Sequence, residues 1–219
     1  MVVTIAISAA GARAAFVFAA AAIAFSLPLV AWAVTDAGRP GLAGAAAMAI
    51  LTSIPVFAIQ GGSEEILCRG WLMQTIAARH GALAALIASS LFFALLHLDP
   101  RETVLGMIVG VAARLPLAFA LGLLALRQGN LWGSLGLHAG WNAGQFALVT
   151  VTTAASGKSP WDALLDAESR TTIADLANAE FVVTMMCMLA LLAFVWAISG
   201  NVRARLAQPA LAETRETSL

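Results

Sequence analysis

The sequence predicts an all-α protein, a polytopic bundle of about six transmembrane helices. Two observations carry that expectation. The chain of 219 residues is 61% hydrophobic and only 11% charged, whereas soluble domains run about 25% charged. A larger core does not explain the deficit, because a soluble protein of this size still covers its surface with polar groups. A solvent that accepts apolar surface does. Second, six stretches approach the roughly 20 apolar residues that a helix needs to cross a bilayer core. Formal net charge is zero, so nothing in the charge balance calls for nucleic acid as a partner.

The first stretch spans about 14–34, between Arg13 and Asp36. Arg13, the apolar run and Ala31-Trp32-Ala33 have the outline of a signal peptide, but the run exceeds the usual core of about 7–15 residues. A retained helix is expected. The second stretch begins near Gly41 and reaches Gln60. Gly61-Gly62 then interrupts or bends it, and the helix extends past the glycines to about Arg79. The third, fourth, fifth and sixth stretches fall at about 82–98, 104–126, 131–152 and 181–200. There is no internal repeat. The chain reads as a single transmembrane domain over 1–203, with a polar tail over 204–219 that includes Pro209 and is expected to be disordered and cytoplasmic. Cys68 and Cys187 sit in apolar context and read as packed thiols.

Six crossings place Arg13, Arg79, Arg127, Arg203 and Arg205 on one side. The other side has Asp36 and Arg39, then Asp99, Arg101 and Glu102, then an acidic loop over 153–180 with Trp161 at the interface. The positive-inside rule makes the arginine-rich side, and both termini, cytoplasmic.

Three segments put polar groups where the bilayer makes them costly, about 2.5–3.5 kcal/mol for a charge at a helix centre. In Gly61-Gly62-Ser63-Glu64-Glu65-Ile66-Leu67-Cys68-Arg69, Glu65 and Arg69 are one turn apart and can pair. Glu64 points about 100° away and is free for another role. Ser63 can cap a helix starting after the glycines. In the second segment Phe93 lies one turn before His97, and Pro100 follows soon after. In the third, His138 and Asn142 share a face among Gly133, Gly136, Gly140 and Gly144, spaced for close helix approach. Each segment alone also fits a structural role: an interfacial ion pair, a satisfied histidine, a packing face. Arg114, inside the fourth span, reads as an ion pair or a snorkelling side chain.

Taken in order, Glu64-Glu65-xxx-Arg69, Phe93-xxx-His97 and His138-xxx-Asn142 resemble the signature of the CPBP (CAAX protease and bacteriocin-processing) family of intramembrane endopeptidases, which includes the type II CAAX prenyl endopeptidase. The resemblance spans 61–146. It implies Glu64, His97, His138 and Asn142 as the catalytic set. Peptide hydrolysis needs an activated water, oxyanion stabilisation and a proton for the leaving amine. Glu64 can be the general base, His97 can hold the same water, and His138 with Asn142 can donate to the oxyanion. Glu65 with Arg69 reads as a clamp that orients Glu64.

Glu64, His97 and His138 are also a zinc-type donor set with an open position. The family has been described in both terms. The absence of a His-Glu-x-x-His helix, and the poor ligand quality of Asn142, tilt the reading toward glutamate catalysis with no cofactor required, zinc being the alternative. The expected partners are the lipid bilayer and a membrane-tethered or amphipathic peptide. In the cytoplasmic membrane of a bacterium, a bacteriocin leader, a pheromone precursor or a membrane-protein tail fits better than a prenylated protein. A non-proteolytic bacteriocin-immunity or scaffold protein is the alternative. A proton-coupled carrier ranks last, because paired broken helices and internal symmetry are missing.

Overall fold

The computed structural model describes residues 9–154, 160 and 179–206. Its helices are α1 (Ala9–Asp36), α2 (Leu42–Glu65), a π-helical segment (Ile66–Leu72), α3 (Met73–Leu95), α4 (Val104–Gln128), α5 (Trp132–Thr153), α6 (Ala179–Ile198) and the short α7 (Gly200–Leu206). Among the described residues there is no strand. The all-α polytopic bundle stands. The acidic loop, Trp161 and the tail beyond Leu206 lie outside the described residues.

Among the described residues four stretches are long and apolar enough to cross a membrane: Ala9–Thr35, Leu42–Leu95, Val104–Gln128 and Phe181–Ile198. The six expected spans correspond to α1–α6, and they give four such stretches for two physical reasons. Leu42–Leu95 contains both the second and the third expected spans. The fifth, α5, is diluted by glycines and by His138, Asn142 and Gln145. It can carry them because it is the central helix, packed against α1, α2 and α4.

The reversal inside Leu42–Leu95 lies at Gly81, at the expected boundary between the second and third spans, and Gly61-Gly62 does not interrupt the helix. Gly81 adopts φ 81° and ψ 170°, a conformation that costs a residue with a Cβ far more. Through Gly61 and Gly62 the helix continues without a break. These two glycines serve packing instead. A Cβ on Gly61 would meet the imidazole of His138 at 3.1 Å, and one on Gly62 would meet the Leu135 side chain at 3.3 Å. With no new helix start, Ser63 caps nothing: it sits inside α2 and its hydroxyl donates to the Gln60 carbonyl at 2.7 Å.

The hairpin about Gly81 sets the level of the site. Arg69 and Phe93 are equidistant from Gly81 in sequence and touch, the guanidinium lying 4.5 Å from the ring centroid. Glu64 and His97 are equidistant to within one residue, so both lie roughly 25 Å from the reversal at 1.5 Å per residue. α3 ends at Leu95, and His97 sits in the turn just beyond. In the following loop Asp99 takes the Arg101 guanidinium at 2.8 Å, which holds its carboxyl down to about 2. Thr103 then caps α4, accepting from the Gly106 amide at 3.0 Å.

α5 lies against α1 along its glycine stripe. A Cβ on Gly136 would strike the backbone of Ala15, one on Gly140 the backbone of Ala19, and one on Gly144 the Ser26 side chain. The contacts advance in the same order along both helices, so the pair is parallel, and the missing side chains bring the backbones close, as small residues do between membrane helices. Elsewhere the outer surface is apolar: Phe16, Leu51, Ile59, Val104 and Met186 are all exposed. Cys68 and Cys187 are buried free thiols.

Candidate active site

Glu64 and Glu65 are consecutive on the last turn of α2, so their side chains diverge and enter different surroundings. Glu65 is wholly buried, and so is Arg69 one turn later in the π-helical segment. Arg69 donates from one terminal nitrogen to Glu65 Oε1 at 2.9 Å and from the other to the Ala118 carbonyl of α4, also at 2.9 Å. Its guanidinium covers the Phe93 ring. Wide π turns recur at functional sites, and here the segment carries the arginine that ties α2, α3 and α4 together.

The same Glu65 oxygen holds His138, whose Nδ1 is 3.0 Å away. The clamp of Glu65 and Arg69 therefore acts on the α5 imidazole; Glu64 is held by a different residue. Because this oxygen already accepts from Arg69, His138 donates from Nδ1. His97 is fixed in the same sense: its Nδ1 lies 2.8 Å from the Phe93 carbonyl, which can only accept. Each neutral ring thus has its proton on Nδ1 and a bare Nε2.

Both bare Nε2 atoms point at one atom. Glu64 Oε2 lies 3.8 Å from Nε2 of His97 and 3.8 Å from Nε2 of His138, and it is buried with no hydrogen-bond partner. Phe93 is the wall between the imidazoles: its centroid is 4.8 Å from the His97 ring and 5.4 Å from the His138 ring, edge-on to the latter. Glu64 and His97 are only partly covered, at 22% and 29% side-chain exposure, while His138 is at 2%. The cluster therefore has one buried flank and one open flank.

The other oxygen of Glu64, Oε1, accepts from the side-chain amide of Gln60, one turn earlier on α2. Gln60 Oε1 in turn accepts from Asn142 Nδ2 at 3.0 Å. The structure thus brings Glu64, His97, His138, Glu65, Arg69 and Phe93 into one cluster and links Asn142 to it through Gln60. Sequence reading passed over Gln60, taking it as the end of an apolar run. Its signal was a position one turn before Glu64 on the same face. Arg114 makes none of these hydrogen bonds, its guanidinium donating to the Gly110 carbonyl of its own helix at 2.9 Å, but its charge is within electrostatic reach of His97.

The donor chemistry of Glu64, His97 and His138 suits zinc, with two Nε2 atoms whose Nδ1 positions are tied and one carboxylate oxygen. Their placement does not close into a ligand set: among the described residues no three His, Cys, Asp or Glu side chains are grouped to hold an ion.

Fold and cluster together define a polytopic helical membrane protein with a carboxylate–imidazole site between its helices. Residues 46–144 match the family model described as type II CAAX prenyl endopeptidase Rce1-like. The match takes in all three motifs and is consistent with the CPBP resemblance. Neither curated proteins nor solved structures give a match.

Proposed function

We propose that this protein is an intramembrane endopeptidase that hydrolyses peptide bonds of membrane-tethered or amphipathic substrates, with Glu64 as general base. The observation that carries this reading is the unpartnered Glu64 Oε2, 3.8 Å from Nε2 of both His97 and His138. That separation is too long for a direct hydrogen bond and suits a bridging water.

Such a water donates one hydrogen to Glu64 Oε2 and the other to the bare Nε2 of His97. Glu64 removes the first proton as the water oxygen bonds to the substrate carbonyl carbon. The carbonyl oxygen becomes an oxyanion and takes a hydrogen bond from Asn142 Nδ2, which has a second hydrogen beyond the one given to Gln60. His138 adds a donor at Nε2 when its ring carries both protons, with Glu65 at Nδ1 facing that charge. The C–N bond then breaks, Glu64 passes its proton to the leaving amine, and a carboxylic acid and an amine result. If zinc binds, Glu64, His97 and His138 would hold it, and it would supply a more acidic water; no step above depends on it.

The open flank at Glu64 and His97 is the side from which a peptide reaches the water. With the arginine-bearing helix ends in the bacterial cytoplasm, both termini are inside, and a leader peptide, pheromone precursor or membrane-protein tail is the expected substrate class. Purified protein in liposomes, given a library of membrane peptides, tests the reading. Wild type cuts, and His97→Ala and His138→Ala lose about 100-fold or more in kcat. Wild-type rates in both variants would overturn it. Activity that survives exhaustive chelation, with no zinc bound, removes the metal alternative.

A further inference from the structure

Gln60 is a half-buried amide in an otherwise apolar turn, on the same face of α2 as Glu64. An unpartnered amide there would be costly. Both of its ends are engaged. Asn142 Nδ2, on α5, donates to Gln60 Oε1 at 3.0 Å. Gln60 Nε2 donates to Glu64 Oε1. The chain of donors runs one way, from Asn142 through Gln60 to Glu64, because a carboxylate only accepts and the second amide must then present its oxygen to the first.

Two consequences follow from that direction. Glu64 Oε1 is occupied, so Oε2 is the oxygen left facing His97 and His138. Asn142 is also held by one of its two hydrogens, which fixes where the other points. We infer that Gln60 is a positioning residue: it selects the Glu64 oxygen that serves as the base and sets the orientation of Asn142 relative to it. The inference rests on the endopeptidase reading above and adds a residue outside the three motifs. Gly61 beside it gives the imidazole of His138 room to sit against the same turn, so base, amide and imidazole share one short stretch of α2.

The test is cleavage kinetics of the full chain in liposomes on a peptide that wild type cuts. Gln60→Met keeps the length of the side chain and removes both polar atoms. We expect kcat to fall by about 10–100-fold, as small misplacements of catalytic groups do, with KM within about 2-fold. Gln60→Glu keeps the acceptor for Asn142 but has no hydrogen for Glu64; it is expected to stay at least as slow, and it supplies the test if Gln60→Met does not fold. Combined with Asn142→Ala, Gln60→Met should cost less than the product of the two single effects, because both break one chain of donors. A wild-type kcat in the folded Gln60 variants would overturn the inference, as would a loss confined to KM or one that matches the loss of folded protein on thermal unfolding. Glu64→Gln is measured alongside. If it is inactive while the Gln60 variants cut normally, only the positioning role fails; if it cuts at the wild-type rate, Glu64 is not the base and the reading on which the inference rests fails with it.

Discussion

Arg69 shows how much one side chain carries in this site. It is fully buried, pairs with Glu65, donates to the Ala118 carbonyl and lies over Phe93. Its removal would leave the Glu65 carboxylate buried without its cation, and breaking a buried pair from one side costs about 3–5 kcal/mol. Arg69→Met should therefore lower the unfolding midpoint sharply in detergent, while Glu65→Gln with Arg69→Met together should lose less than Arg69→Met alone. Equal midpoints for wild type and Arg69→Met would show that the pair does not hold these helices. The Glu65–Arg69 pairing was legible from a spacing of one turn. What the pair orients was not: its target, His138, is distant in sequence, and only the approach of α5 puts Nδ1 on the carboxylate. Gln60 escaped for the opposite reason. Its partner Glu64 is close in sequence, but a single glutamine at the end of an apolar run looks like an ordinary span boundary.

Glycine does different work in different elements. On the α5 face that meets α1, the missing Cβ lets backbones touch; at Gly81 the unusual backbone conformation reverses the chain. Gly136→Ala would push a methyl into the Ala15 backbone, which cannot swing aside, and overpacking of this kind costs about 1–3 kcal/mol. Gly44→Ala is the matched control, since a Cβ there meets nothing within 4 Å; it should leave stability unchanged or raise it by up to about 1 kcal/mol. Comparing the two midpoints separates helix contact from helix propensity, and equal shifts would remove the close-packed face from the account. The glycine spacing of α5 was readable as a packing face because its steps match helical periodicity. The reversal was readable too, at the boundary between the span ending near Arg79 and the one starting near Ala82; that Gly61-Gly62 leaves the helix unbroken was not, because a glycine pair carries no local mark that separates close packing from a break. The consequence is larger than one turn: α2 runs on into the π-helical segment, so Glu64 lies within a continuous helical stretch, and the reversal at Gly81 brings His97 to its level.

Across the whole molecule, the bilayer explains both the apolar exterior and the place of the polar residues. Large apolar side chains face outward on several helices, and the glycine-rich, polar α5 lies at the centre. The fold class was legible in composition and span length alone. So were the six helices α1–α6, which fall where the six apolar stretches place them; what composition did not show is that α5, with its glycines and polar groups, is enclosed by protein instead of lipid. The orientation drawn from the loop arginines makes its own prediction. A cysteine at Arg127 should be reached by a membrane-impermeant thiol reagent only from the cytoplasm, and one at Pro100 only from outside; Cys68 and Cys187 are buried and give little background. The reverse pattern would invert the topology.

The central claim is that Glu64 Oε2 takes the proton of the attacking water. Glu64→Gln keeps the shape and the neighbours of that side chain but removes the base. In liposomes, on a peptide cut by wild type, the account predicts that Glu64→Gln folds with a comparable unfolding midpoint and cleaves at least about 100-fold more slowly. Cleavage by Glu64→Gln at the wild-type rate would contradict it.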